Sequence, residues 1–190
     1  MQAYYLHGPR DLRATDIEQP QPGPQEALVR VRATGICGSD IHYYLHGKNG
    51  DFVPERPFVL GHESAGEIVD SGAFTDTLPV GSRVAIDPSH PCRACAHCRE
   101  GNENHCSHMR YFGSAASSPP QDGSFREYVQ VNAENCHLIP DSMNYRQAAM
   151  LEPLSIAVHG IGQAGSIAGK RVLVTGAGPI GQLIGLVARH

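Results

Sequence analysis

Four cysteines fall within residues 92–106, spaced Cys92-x-x-Cys95-x-x-Cys98-x7-Cys106, and no other stretch of this 190-residue chain restricts its fold as tightly. Thiols three apart on tight turns can aim several sulfurs at one point, and a seven-residue loop can return a fourth. Four thiolates close tetrahedrally around Zn²⁺ at about 2.3 Å and leave no open position, so the expected site is structural. His97 and His105 lie inside the cluster and could substitute, but the sulfur count is complete without them. Reactive or merely buried thiols are the alternative reading, which four cysteines in so short a span disfavour. A zinc ribbon that grips nucleic acid is another. It needs two Cys-pair knuckles with a longer gap and a basic surface.

The charge argues against that last reading. Nineteen acidic and 15 basic residues leave a formal net charge of -4, with no electrostatic footprint for nucleic acid or an anionic membrane. Apolar residues make up 41%, enough to bury a sizeable core. The 21 glycines and 14 prolines stay below the roughly 25–30% that marks disorder. No apolar run approaches the roughly 18 residues of a membrane span. Met1-Gln2-Ala3-Tyr4-Tyr5-Leu6-His7 lacks the basic start and apolar centre of a secretory leader. The cytoplasm is the expected compartment, and there thiols stay reduced and free to hold metal.

Along the chain, Pro20-Gln21-Pro22-Gly23-Pro24 reads as a loop. Strand-like runs follow at residues 29–33, 65–69, 83–86, 128–131 and 137–139, punctuated by Gly, Pro, Asp and Asn. Many short strands with turn chemistry between them predict a barrel or sandwich over residues 1–150. The pattern then turns helical over residues 146–160, with Ala148, Leu151, Ser155 and Val158 as the repeating face. A β-branched strand is predicted over residues 170–175. It is followed by Gly176-Ala177-Gly178-Pro179-Ile180-Gly181 and a helix carrying Ile180, Leu183, Ile184 and Val187 on one side. Strand, glycine turn and helix open a doubly wound nucleotide-binding fold. One strand and one helix cannot cover both faces of a parallel sheet. The expectation is a longer parent protein, or a sheet completed by a partner.

A second set of metal-binding side chains is spread more widely. Gly35-Ile36-Cys37-Gly38-Ser39-Asp40-Ile41-His42 and Gly61-His62-Glu63 offer a thiolate, an imidazole and a carboxylate, and Glu152 offers a further carboxylate. Catalytic zinc uses mixed Cys/His/carboxylate ligation with one position open. Taken singly each residue is more often a core thiol or a solvated acid.

The segments GICGSDIHYY, VLGHE, the CxxCxxCx7C cluster, MLEPLSIAVHG and VTGAGPIG occur here in the order found in the zinc-containing medium-chain dehydrogenases. The resemblance covers the whole chain and is strongest toward the polyol branch. Residues 102–106 and 109–115 look like those of dehydrogenases acting on sugar acids of the L-idonate type. The resemblance implies a GroES-like barrel over 1–150, followed at 151–190 by a connecting helix and the start of a Rossmann NAD(P)-binding domain. It also implies that the full-length protein is a homo-dimer or homo-tetramer. It assigns Cys37 and His62 to a catalytic zinc, with Glu63 or Glu152 completing the shell, and leaves open which. The four-cysteine zinc makes a second ion. Asp40 is implied to hold His62 by hydrogen bond, as outer-shell carboxylates do.

The activity implied is oxidation of a secondary hydroxyl of a polyol or sugar acid, with hydride transfer to NAD or NADP. Ser39 would accept the hydroxyl proton, and His42 would release it to water, since an imidazole titrates near physiological pH. Gly176 would permit the tight turn, Gly178 the close approach of the pyrophosphate, and Gly181 the packing of helix on strand. Tyr43, Phe52 and Phe112 are implied as pocket residues. Arg110 and Lys48 are candidate cations for a substrate carboxylate. Sorbitol, xylitol or another secondary alcohol is the alternative substrate. A zinc-binding fragment with no chemistry of its own is the alternative from a different class.

Overall fold

A computed structural model describes residues 1–74 and 76–190. The architecture is mainly β. In chain order the elements are β1 (Gln2–Gly8), β2 (Asp11–Asp16), β3 (Glu26–Thr34), α1 (Gly38–His46), β4 (Phe58–Val59), β5 (Ser64–Asp70), β6 (Arg83–Ile86) and β7 (Ser89–His90). Then come α2 (Ala96–Arg99), β8 (Arg110–Tyr111), β9 (Tyr128–Asn132), β10 (Cys136–Leu138), α3 (Tyr145–Ala149), α4 (Leu151–Gln163) and α5 (Pro179–Arg189). The main sheet is antiparallel with the order β10-β6-β5-β3-β9, and a second runs β2-β1-β4. The segment before β9 stitches the two together. Phe125 carbonyl accepts from Tyr4 N–H at 2.9 Å, while Phe125 N–H donates to Leu60 carbonyl at 2.9 Å. The result is a partly closed barrel, as the short, turn-separated strands predict.

Alternation places the core. Val29, Ile68, Val84, Ile86, Val129 and Val131 come from four strands, β3, β5, β6 and β9, and pack as one buried cluster. β-Branched side chains suit a pleated, half-buried surface. The five predicted strand runs all fall on observed strands, with ends shifted by a few residues, the margin usual for boundaries.

Three expectations need correction. Residues 170–175 form no strand, because no described segment pairs with them and a strand exists only within a ladder. The helix expected over residues 146–160 is broken at Met150 into α3 and α4. Pro153 explains the break: in a continuous helix its ring would collide with the carbonyl of Ala149, whereas three residues into a new helix its missing N–H costs nothing. The break also shifts the buried stripe to Ala149, Pro153 and Ala157, leaving Ser155 and Val158 exposed. The third correction is α1, a helix the strand-and-turn reading does not contain. Its signals are local: Cys37 stands at the N-cap, Asp40 takes the Cys37 N–H at 2.8 Å, and Gly47 closes the helix at φ 70°. No described helix is long and apolar enough to cross a membrane.

Candidate metal centres

The strand ladder creates the first centre. β3 and β5 run antiparallel with Thr34 opposite Ser64, and Gly35 N–H donates to Glu63 carbonyl at 2.7 Å, one step beyond the strand ends. The turn from β3 into α1 therefore lies beside the turn from β4 into β5. Cys37 comes from one and His62 and Glu63 from the other. Ligating atoms of these three residues all lie within 4.8 Å of one another. Asp40, only 2% exposed, ties the turns together. Its two oxygens accept from Cys37 N–H at 2.8 Å and Gly61 N–H at 3.1 Å. Oδ1 stands 3.9 Å from His62 Nδ1, so the expected Asp40–His62 hydrogen bond is not formed, the carboxylate being taken up by the two backbone donors. Gly35 leaves room for the Glu63 carboxylate: a Cβ there would sit 2.0 Å from Glu63 Oε2 and push it aside.

The electrostatics agree with a mutually stabilised set. Hydrogen bonding by the His62 ring, with help from Ser39, holds the Cys37 thiol below its usual range. Burial opposes charge on His62, but the Cys37 sulfur and the Asp40 carboxylate outweigh it and hold the imidazole above its usual value. Burial also raises the carboxyls of Glu63 and Asp40. A cysteine sulfur, an imidazole and a carboxylate converging at one point suit a borderline-soft divalent ion such as Zn²⁺.

Glu152 stands apart from this trio. It projects from the first turn of α4, and its Oε1 accepts a hydrogen bond from Tyr111 Oη at 2.6 Å. The Tyr111 ring lies edge-on to His62, with centroids 5.6 Å apart. Tyr111 and Glu152 also line a cleft of about 810 Å³, with Ile86, Met109, Leu151 and Ile156 on its apolar walls. The reading from sequence missed Tyr111, which stands beside the Phe112 it named. Phe112 and Tyr43 are each 1% exposed and buried in apolar clusters, while Phe52 is 48% exposed, so none of the three lines this cleft. Ser39 sits in the first turn of α1 beside Cys37, whereas His42 is exposed on that helix with its ring 5.9 Å from His46. Among the described residues no direct hydrogen bond joins Ser39 to His42.

The second centre is local. The sulfurs of Cys92, Cys95, Cys98 and Cys106 all lie within 4.8 Å of one another, and none is in a disulfide. Backbone N–H groups point at the sulfurs: Cys92 and His108 donate to Cys106 Sγ at 3.2 and 3.3 Å, and Cys95 donates to Cys92 Sγ at 3.4 Å. Donors aimed at sulfur favour thiolate. Backbone donation from Cys98 and Ser107 pulls Cys95 down to about 6, while desolvation pushes its neighbour Cys98 up to about 12. The rings of His97 and His105 lie tilted to each other with centroids 6.1 Å apart, and neither residue is in the sulfur group. Arg93 pairs with Glu134 and, at 3.8 Å, with Glu103, pinning this lobe to the barrel.

The glycine turn is also formed locally. Gly176 adopts φ 94°, and a Cβ on Gly181 would come 2.0 Å from Gly176 carbonyl, so both positions need glycine. Gly178 caps α5, and Pro179 occupies its first turn. Leu183, Ile184 and Val187 are half-buried, while Leu173 is 87% exposed.

Known proteins match the chain in sequence and fold. Residues 23–141 match the alcohol dehydrogenase GroES-like domain. The chain is 43% identical over 183 residues to sorbitol dehydrogenase of Bos taurus, spanning 96% of this chain and 50% of that protein. It is 44% identical over 188 residues to D-xylulose reductase A of Aspergillus oryzae, spanning 98% of this chain and 51% of that protein. The crystal structure of L-idonate 5-dehydrogenase from Escherichia coli superposes with a TM-score of 0.89 at 40% identity, covering 99% of this chain and 54% of that one. The chain thus spans about half the length of the curated relatives it matches. Motif order, barrel and matched domain agree that the chain belongs to the zinc-dependent medium-chain alcohol/polyol dehydrogenases.

Proposed function

We propose that the protein carrying this chain oxidises a secondary hydroxyl of a polyol or sugar acid with hydride transfer to NAD or NADP. Residues 1–150 form its metal-binding catalytic barrel and residues 151–190 lead into its nucleotide-binding domain. The observation that carries the reading is the meeting of Cys37, His62 and Glu63 within 4.8 Å. Cys37, His62 and Glu63 would hold the catalytic zinc, Glu152 stands close by, and the four cysteines would hold the structural one. Zinc at the first site would supply Lewis acidity to a substrate hydroxyl, and the nicotinamide would accept the hydride.

The chain's own residues do the rest. Asp40 locks the two turns together and places its negative charge 3.9 Å from the His62 ring. Ser39 takes up the hydroxyl proton, and His42, exposed on α1, releases it to water through a bridging hydroxyl or water molecule. Gly176, Gly178 and Gly181 shape the turn at the start of α5, where free N–H groups suit a pyrophosphate. The apolar cleft walls exclude water and receive the carbon chain.

One observation favours a neutral polyol such as sorbitol or xylitol over a sugar acid. The cleft lining contributes Asp87, Glu103 and Glu152 but no Lys or Arg among the described residues, and Arg110 and Lys48 are exposed elsewhere. Such a lining repels a carboxylate. The test is a panel of sorbitol, xylitol, L-idonate and a simple secondary alcohol, each assayed with NAD and NADP on the full-length protein. The expected result is turnover with two zincs per chain, highest on the neutral polyols. One tightly held zinc and no turnover would establish an inert zinc-binding module instead.

A further inference from the structure

Resting on the metal reading above, we propose that Tyr111 is a positioning residue whose hydroxyl anchors Glu152 outside the Cys37–His62–Glu63 set, leaving Glu63 as the third ligand. Two carboxylates compete for one place here. Glu63 lies within 4.8 Å of both Cys37 and His62, and Glu152 does not complete such a group. Glu152 is brought to the edge of this set by Tyr111, which holds its carboxylate and lies edge-on to His62. Like charges in a half-buried site repel, and a fixed partner is needed to settle which stays out.

The fixed partner is Tyr111. Its hydroxyl donates to Glu152 Oε1 at 2.6 Å, the length of a hydrogen bond onto an ionised acceptor and among the stronger ones in proteins. The ring is held from two sides: β8 pairs it opposite Ser89 of β7, and its edge packs against His62. Among the described residues the hydroxyl has no other side-chain partner, so its position is spent on Glu152. A phenylalanine would fill the same space and keep the contact with His62, but would release the carboxylate.

The experiment keeps zinc in the four-cysteine site, exchanges the labile metal for Co²⁺, and compares wild type, Tyr111→Phe, Glu152→Gln and the double variant. Wild type should show the cobalt absorption of a set that excludes Glu152. Tyr111→Phe should shift that absorption and slow release to a chelator, because the freed carboxylate of Glu152 adds a donor to the set. The double variant should return both readouts to those of Glu152→Gln. Glu152→Gln alone supplies a check that needs no folded Tyr111→Phe protein, because removing a carboxylate held outside the set must leave the cobalt spectrum unchanged. A spectrum altered by Glu152→Gln alone overturns the proposal. So does a Tyr111→Phe protein indistinguishable from wild type, or a shift that persists in the double variant. A wild-type chain that takes up metal at the four cysteines only overturns the metal reading itself, and the role of Tyr111 with it.

Discussion

The two sulfur-bearing centres are built by opposite means. The four-cysteine lobe draws every donor from residues 92–106, shaped by tight turns, one short helix and N–H groups of the same loop. The Cys37 centre joins Cys37 to the adjacent pair His62 and Glu63, which begins 25 positions further on, and nothing local brings the two segments together. It exists because β3 and β5 pair in one register and Asp40 bonds across both turns. A local site can form wherever its loop is intact, whereas a site made by strand pairing inherits the cooperativity of the whole sheet. This suits a division of labour: the first stiffens a long excursion from the barrel, the second sits on a rigid frame that fixes its geometry.

Substitutions should separate the two centres, beginning with the largest effect. Cys37→Ser should abolish alcohol-dependent NAD(P) reduction in the full-length protein while the four-cysteine zinc survives dialysis. Retained turnover would falsify the assignment of Cys37. Cys106→Ser should cost one tightly held metal per chain and open residues 92–106 to limited proteolysis, with the barrel's far-UV circular dichroism preserved. Concurrent loss of metal from the Cys37 set would show that the centres are coupled rather than independent.

Subtler changes probe the frame. Asp40→Asn has one acceptor oxygen where the native side chain uses two, so either Cys37 N–H or Gly61 N–H loses its partner. The expected cost is about 1–3 kcal/mol of stability for an unpaired buried donor. Metal affinity at the Cys37 centre should fall about 10- to 100-fold, with none lost at the cysteines. Chemical denaturation and competition with a chelator read the two effects separately, and unchanged values in both would remove Asp40 from the frame. His42→Gln should have the smallest effect, altering the pH–rate profile with metal content intact. A profile that overlays wild type would exclude His42 from the proton path.

Much of this molecule was legible before any coordinates. The cysteine spacing, the alternating runs that became β3, β5, β6 and β9, and the glycine turn before α5 are all short-range patterns. What escaped has a common physical character. Pro153 forbids a helix running through Met150, and that signal was present but outweighed by an apparent periodicity. α1 was hidden because its first turn, Gly38-Ser39-Asp40, has low helix propensity and only the Cys37–Asp40 cap starts it. Tyr111 was missed for its neighbour because adjacent residues on a strand face opposite sides, and only the pairing of β8 with β7 decides which side meets His62.

The amino-acid order by itself determined which chemical groups are available: six thiols, the carboxylates Glu63 and Glu152, and the glycines that permit a nucleotide-type turn. It also determined the four-sulfur lobe, because all four donors lie within one short loop, residues 92–106, and tight turns suffice to bring them together. Only the tertiary structure decided that Cys37 meets His62 and Glu63, that Glu152 is claimed by Tyr111, and that the named aromatics Tyr43 and Phe112 belong to the core. Contacts between distant residues depend on strand register, and a shift of one residue in that register turns every side chain to the other face of the sheet.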